Sequence, residues 1–322
     1  DTETLLTLIE LYGLKKALLK TVGMFAIALW DRKERRLQLA RDRFGEKPLY
    51  YGFSGSGKER SFIFGSEISA LKSCGKFDNS INRNALSELL SYMAIFPPNS
   101  IYKGIYQLLP GHLIALDYPF NLDLPEPIQW WSFNQTIESS FNSQIKDESE
   151  AINLLENQLI ESIKRQTISD VPLGCFLSGG IDSSLITSIL QTHSKNNINT
   201  FTIGFEESGF NEAPFAKSVA SYLGTNHNEM ILTSKDAQNL IPELSGLYSE
   251  PFADPSQLPT YLVCREARNN GWKVALSGDG GDEIFCGYNR YLWGKRIWNK
   301  LSFMPWKIRN LLGRIILKLP IS

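Results

Sequence analysis

The sequence predicts two architectures in series: an α+β half on antiparallel sheet, then an α/β half on a doubly wound parallel sheet. Three features of the 322 residues carry this expectation. Residues 24–64 break into short strand-like apolar runs separated by tight turns, the pattern of an antiparallel meander. From Glu150 onward helical and strand-like stretches alternate, which calls for parallel strands joined by crossover helices. Between them, residues 118–149 hold Pro119, Pro125 and Pro127 among many Ser, Asn and Gln with little periodicity, a boundary signal. The implied division is 1–117, a linker at 118–145, and 146–322.

Taken in order, residues 2–20 read as one helix, with Leu5, Leu8, Ile9, Tyr12, Ala17 and Leu18 on one face. Strands are expected at Met24–Trp30, Arg36–Arg41, Leu49–Phe53 and Phe62–Phe64, then a helix near Asn82–Met93. Ile101–Leu108 and His112–Asp117 read as a strand pair turning at Pro110-Gly111. In the second half a helix (Ala151–Gln166), a buried strand (Leu173–Leu177) and a helix (Ser183–Thr192) follow one another. The alternation continues with Thr200–Phe205, Glu212–Leu223, His227–Ile231, Leu258–Asn269 and Lys273–Leu276. Such a sheet holds its ligand at the carboxyl ends of the strands.

Composition narrows the function. The 33 Lys+Arg and 34 Asp+Glu give a net charge of −1, against a nucleic-acid binder. The balance is uneven: residues 284–322 hold eight basic groups (Arg290 through Lys318) and no acid. Their interleaving with Leu292, Trp293, Ile297, Trp298, Leu311 and Ile315 makes amphipathic helices. These read first as a face packed on further chain, and only second as a membrane-surface element. Cys74, Cys175, Cys264 and Cys286 are scattered, which favours a reduced, cytoplasmic protein over a disulfide scaffold or zinc site. The apolar run Val22–Trp30 is far short of the ~20 residues that a membrane span requires. The chain begins at Asp1 without Met, and its start is expected to be missing.

Two glycine-rich runs carry chemistry. Leu177-Ser178-Gly179-Gly180-Ile181-Asp182-Ser183-Ser184 follows a strand and opens a helix. Its glycines let successive N–H groups converge, and the helix terminus adds free donors and a positive dipole end, so the run suits an anion. Asp182 would repel a bare phosphate, so a Mg²⁺ is expected between them. Ser277-Gly278-Asp279-Gly280-Gly281-Asp282-Glu283 follows another strand. Its three acids beside a triphosphate again call for a divalent cation. Gly52-Phe53-Ser54-Gly55-Ser56-Gly57-Lys58-Glu59 mimics a Walker A loop, but Glu59 stands where Ser or Thr is needed and the run joins two strands.

The first run resembles the pyrophosphate loop of ATP pyrophosphatases. Together with Thr200–Phe205, Asn211-Glu212-Ala213, Leu223–His227, Glu250–Ser256 and Gly287-Tyr288-Asn289-Arg290-Tyr291, residues 146–322 resemble the synthetase domain of glutamine-dependent asparagine synthetases. Gly23–Asp31, Arg41–Tyr51 and Gly65-Ser66-Glu67-Ile68 resemble that family's class II (Ntn-type) glutamine amidotransferase domain. The resemblance implies Mg-ATP on Ser178–Ser184, a metal shared by Asp182 and Asp282, and a nucleotide lined by Leu177, Ile203, Ser277 and Gly278. It implies that Asp279 takes up the proton when ammonia attacks, and that Phe252–Thr260 walls the acceptor carboxylate. It also implies that Asp42 holds the α-amino group of glutamine, whereas its neighbours Arg41 and Arg43 suggest a structural ion pair. The family's nucleophile is an N-terminal cysteine, and none of the four cysteines fits; a synthetase Lys is also unplaced.

The expected reaction is amidation of aspartate through an acyl-adenylate, with glutamine supplying ammonia. Open alternatives are the same chemistry on a sugar, peptide or β-lactam precursor, and a non-catalytic, nucleotide-responsive membrane-surface protein. The expected partners are the small-molecule substrates, without nucleic acid, with a homodimer as an option.

Overall fold

The computed structural model describes residues 1–57, 60–120, 123–206 and 211–316. It divides into two compact units: Asp1–Asp147 with Asn239–Leu258, and Glu148–Gln238 with Pro259–Ser322.

Unit 1 is built on strands β1 (Ala26–Asp31), β2 (Arg36–Arg41), β3 (Tyr50–Ser54), β4 (Ser61–Gly65), β5 (Ile105–Gln107), β6 (His112–Asp117) and β7 (Ile128–Gln129). They form two antiparallel sheets, ordered β1-β2-β6-β7 and β4-β3-β5. Period-two alternation assigns the faces. Leu37 and Leu39 of β2, Ile114 and Leu116 of β6 and Tyr51 of β3 meet in one cluster, so the two sheets face each other. Their neighbours point outward: Ala40 and Leu113 pack under Leu14 and Leu18 of the helix Leu14–Lys20, with Trp130. Tyr50, Ile63 and Ile105 pack under Ile68 and Leu71 of the helix Ile68–Lys72. Leu18, Leu39, Ile68, Leu108 and Ile114 are sealed from solvent, each contributing about 1.5–3 kcal/mol.

Three expectations change here. The single helix over 2–20 is two, Thr2–Tyr12 and Leu14–Lys20, parted by Gly13 at φ +76. The strands flanking Pro110-Gly111 do not pair with each other: β5 joins β3 and β6 joins β2. The Gly111 N–H donates to the Asp42 carbonyl at 2.8 Å, which turns the chain from one sheet into the other. The proline-rich stretch after Asp117 carries β7, the buried Trp130 and the helix Phe133–Ser140; Asn121 and Leu122 lie outside the described residues.

Unit 2 holds β8 (Leu173–Phe176), β9 (Asn199–Phe205), β10 (Asn226–Leu232) and β11 (Val274–Leu276), all parallel, in the order β10-β9-β8-β11. Cys175 points to the helices Glu148–Gln166 and Ile181–His193, in a cluster with Ile163, Ile189 and Leu190. Phe176 points the other way, towards Phe201, Trp272 and Val263 and Ala267 of the helix Gln257–Asn269. Helices on both faces make the sheet doubly wound, as the sequence predicts. The first strand sits inside: the chain steps from β8 outward to β10, then returns to place β11 on the other side of β8. That reversal opens a crevice at the carboxyl ends of β8 and β11, where both glycine-rich runs begin.

The Walker-like run joins two strands, as expected: Gly52, Phe53 and Ser54 are the end of β3, paired with β4, and Lys58 and Glu59 lie outside the described residues. All four cysteines are free. Among the described residues, no helix is long and apolar enough to cross a membrane. The helices Asn289–Leu301 and Trp306–Ile316 bury no side chain, and Lys318 lies outside the described residues.

Candidate active site

β8 delivers its loop through a last ladder bond, Leu177 N–H to the Phe201 carbonyl at 2.9 Å. The Leu177 side chain is buried against Ala216 and Ala220, so only its backbone faces the loop. Gly179 then turns at φ +82, and a Cβ there would lie 2.6 Å from the Ala216 nitrogen. Only glycine meets both conditions. Ser178 and Ser183 tie the loop to the helix: the Ser178 N–H donates to Ser183 Oγ at 3.2 Å, and the two hydroxyls lie 3.0 Å apart. The Gly180 N–H donates to Ser178 Oγ at 3.2 Å. Gly180 caps the helix Ile181–His193 without a side chain, so its first-turn N–H groups have no side-chain acceptor. Ser184 Oγ is buried without a hydrogen-bond partner among the described residues.

The run after β11 leans on this one, with glycine at each point of approach. A Cβ on Gly278 would lie 2.9 Å from the Ser183 nitrogen. One on Gly281 would lie 2.8 and 2.9 Å from the two carboxylate oxygens of Asp182. Ser277 Oγ donates to Asp279 Oδ2 at 3.0 Å, which fixes an otherwise exposed acid. The Asp282 carboxylate lies against Gly287, whose N–H donates to the Asp282 carbonyl at 3.1 Å. Next to it, Tyr288 donates to Glu283 Oε1 at 2.8 Å while the Arg290 guanidinium sits 4.0 Å over the Tyr288 ring. The Tyr288 hydrogen bond holds the Glu283 carboxyl below its ordinary range.

The carboxylates of Asp182 and Asp282 have no hydrogen bond or ion pair among the described residues. Two unpaired carboxylates beside a cradle that any Cβ would fill offer hard oxygen donors to a small divalent cation. Mg²⁺ ordinarily takes one or two protein carboxylates and completes its shell with phosphates and water. Among the described residues, no group of three potential metal ligands is assembled. Ile203, on β9, is half-buried against the cluster of Phe201, Ala267 and Trp272.

The Asp42 region of unit 1 is organised differently. Asp42 is fully buried and accepts four backbone N–H bonds: Phe25 at 3.2 Å, Phe44 at 3.1 Å, Glu46 at 3.0 Å and Lys47 at 2.9 Å. A carboxylate has about four acceptor positions, and all are used. The glutamine α-amino contact expected of Asp42 therefore has no free oxygen to use; Asp42 clamps its own loop. The local ion-pair reading also changes. Arg41 donates to the carbonyls of Gly45, Lys47 and Leu108 at 2.7, 2.9 and 2.7 Å, and Arg43 to those of Leu19 and Thr21 at 3.1 and 2.6 Å. Burial lowers the Arg41 pKa, with the Asp42 charge opposing it.

The family profile for asparagine synthase matches residues 154–319, just over half of the chain, and contains both glycine-rich runs. The chain belongs to the asparagine synthase family. A glutamine amidotransferase domain profile matches residues 1–121. The chain is 32% identical over 291 residues to asparagine synthetase (glutamine-hydrolyzing) 1 of Bacillus subtilis, covering 90% of this chain and 43% of that protein. It is 32% identical over 281 residues to asparagine synthetase 3 of the same organism, covering 83% and 43%. A rice relative, asparagine synthetase 2 of Oryza sativa, is 30% identical over 302 residues, covering 89% and 43%. The chain thus spans under half the length of these relatives.

Sequence reasoning placed the residues around Ser178–Ser184 and Ser277–Asp282 together through their shared strand–loop–helix context. It missed the saturation of Asp42, for which Phe44, Glu46 and Lys47 carry no side-chain signal. The Tyr288–Glu283–Arg290 cluster is likewise not evident from sequence, although Tyr288 and Arg290 both belong to the run Gly287-Tyr288-Asn289-Arg290-Tyr291.

Proposed function

We propose that the protein is an ATP-dependent carbon–nitrogen ligase that amidates aspartate with ammonia drawn from glutamine. The observation that carries the reading is the pair of glycine-hinged loops at the β8/β11 switch point, with Asp182 and Asp282 left unpaired there. The N–H groups of Ser178–Ser184 and the Ser hydroxyls would bind the triphosphate of ATP. Asp182 and Asp282 would hold Mg²⁺, which when bound offsets phosphate charge. The backbone at Leu177 and Ile203, with Ser277 and Gly278, would border the nucleotide.

In this reading an aspartate carboxylate oxygen attacks the α phosphate, and pyrophosphate leaves, giving a β-aspartyl-adenylate. The loop N–H groups would face the departing charge, the kind of placement that lowers such barriers. Ammonia then attacks the acyl carbon, and AMP leaves as asparagine forms. Asp279, oriented by Ser277, would accept the proton that the attacking nitrogen loses. The residues up to 117 would belong to the glutaminase part and those from 146 to the synthetase part, in a cytoplasmic enzyme.

The test is product analysis with the full-length protein, ATP and a panel of carboxylates. AMP and pyrophosphate formed with aspartate are expected. ADP and phosphate would overturn the ligase reading, and turnover with a sugar or peptide carboxylate alone would reassign the acceptor.

A further inference from the structure

β8 and β9 begin at Leu173 and Asn199, at the end of the parallel sheet away from the glycine-rich runs. A cavity of about 340 Å³ opens there, lined within unit 2 alone. Small-molecule sites ordinarily hold ~300–1,000 Å³, so it lies at the lower end of that range. Its walls are the last turns of the helices Glu148–Gln166 and Ile181–His193 and the loop 194–198 that feeds β9.

Floor and rim differ in chemistry. Ile163, Ile189 and Leu190 are buried members of the cluster around Cys175 and form the floor. Lys164, His193 and Lys195 are exposed and form the rim. Neither ammonium group has an ion pair or hydrogen bond, and no acid lines the cavity, among the described residues. The loop is held by the chain itself. The Ile198 N–H donates to Gln191 Oε1 at 3.0 Å, Gln191 Nε2 to the Asn196 carbonyl at 3.4 Å, and the Asn226 N–H to the Ile198 carbonyl at 2.9 Å. The hollow is therefore formed by the fold before anything enters it.

Two helix carboxyl ends converge here, and their dipoles work against an anion. Their last carbonyls are occupied, however. Thr167 donates through its N–H to the Ile163 carbonyl at 3.0 Å and through its hydroxyl to the Lys164 carbonyl at 2.8 Å. His193 Nδ1 donates to the Ile189 carbonyl at 3.0 Å, and the Ser194 N–H to the Gln191 carbonyl at 3.2 Å. With Nδ1 engaged, the His193 ring keeps Nε2 for a further partner. The preference of basic side chains for a helix carboxyl end explains Lys164 and His193 taken alone. It explains neither Lys195, which lies beyond the helix, nor the apolar hollow that all three border.

We propose that this cavity binds an amphipathic carboxylate: an organic acid whose apolar body rests on Ile163, Ile189 and Leu190 and whose head is held by Lys164 and Lys195. A bare inorganic anion would leave the apolar floor unused, and a neutral hydrocarbon would gain nothing from the lysines. The site is separate from the nucleotide crevice, because it lies at the amino end of β8, whose carboxyl end carries the first glycine-rich run.

The experiment is calorimetric titration of the protein with octanoate, its shorter homologues and octylamine. Affinity should rise about three- to fourfold for each methylene from butyrate to octanoate, the scale of one buried CH₂. Octylamine has the same body and the opposite charge, and should bind about tenfold more weakly than octanoate, since repulsion replaces the ion pairs. Lys164→Gln and Lys195→Gln should each weaken octanoate by about three- to fivefold, the scale of one exposed ion pair. Both lysines are exposed, so each variant should keep the wild-type Tm, which thermal unfolding checks. Saturating Mg-ATP should leave octanoate affinity unchanged. Absence of octanoate binding, equal binding of acetate or octylamine, or wild-type affinity in both lysine variants overturns the proposal. Displacement of octanoate by Mg-ATP would place it in the nucleotide crevice and overturn the proposal as well.

Discussion

Asp182 and Asp42 both lie in glycine-containing runs that follow a strand, and their structures point in opposite directions. The four backbone N–H bonds to Asp42 consume its acceptor positions and seal it from solvent. Asp182 has no such bond, although it sits at the positive end of a helix beside two glycines. The protein has spent one carboxylate on its own fold and left the other open for something else. Counting the hydrogen bonds of an acid separates a loop organiser from a ligand-binding group more surely than its motif does.

The largest effects should come from breaking the open carboxylates. Asp182→Asn and Asp282→Asn should each lower pyrophosphate release by about 10²–10³, the usual cost of one lost electrostatic contact in a transition state. Glutamate release should stay within twofold, measured in the same tubes. Near-normal pyrophosphate release in both variants would make these residues no more than loop formers.

Breaking the saturated one should act on stability instead. Asp42→Asn puts an amide N–H₂ among four inward-pointing N–H donors, leaving at least one buried donor without an acceptor. The expected loss is about 1–3 kcal/mol for each such group. Hydrogen exchange at the amides of Phe44, Glu46 and Lys47 should speed up accordingly. Unchanged protection would show that Asp42 does not organise this loop.

A subtler change sharpens the contrast without touching any charge. Gly281→Ala adds a methyl group against the Asp182 carboxylate. It should weaken Mg-ATP binding about tenfold by displacing that group, at the scale of a 1.4 kcal/mol penalty. Calorimetric titration reads it, and wild-type affinity would show that the loops need not approach so closely.

The smallest effect concerns Glu250. Burial raises its pKa above the ordinary glutamate value, opposed by its bonds to Ser100 and Ile101. An acid whose folded pKa is raised binds more protons folded than unfolded between the two values. Stability from this group is therefore greatest below the unfolded pKa and falls as pH rises through the folded one. Exchange at the Ile101 amide should become faster across that window, and Glu250→Gln should remove the slope. A slope that persists in the glutamine variant would assign it to another group.

The parallel sheet was legible because strand and helix periods alternate cleanly from Glu150, and because glycines mark the two loops. The antiparallel half was legible as strands but not as pairings. Residues such as Leu39 and Ala40 bury opposite faces of one strand, so alternation alone does not say which sheet each strand joins. Gly13 broke a helix that an apolar stripe had made continuous, since the stripe on either side keeps its phase. Asp42 misled because its partners are backbone N–H groups, which every residue but proline supplies. The place of segment 239–258 in unit 1 was invisible for a similar reason: Ser249 and Glu250 meet Ile68 and Ile101 through the backbone N–H groups of those two residues.

Adenylation is read most directly by exchange of labelled pyrophosphate into ATP by the full-length protein. Exchange should require aspartate and Mg²⁺, survive removal of glutamine, and fall by about two orders of magnitude in Asp282→Asn. Exchange that proceeds at the wild-type rate in that variant, or none at all in the wild type with aspartate present, would contradict adenylation at this site.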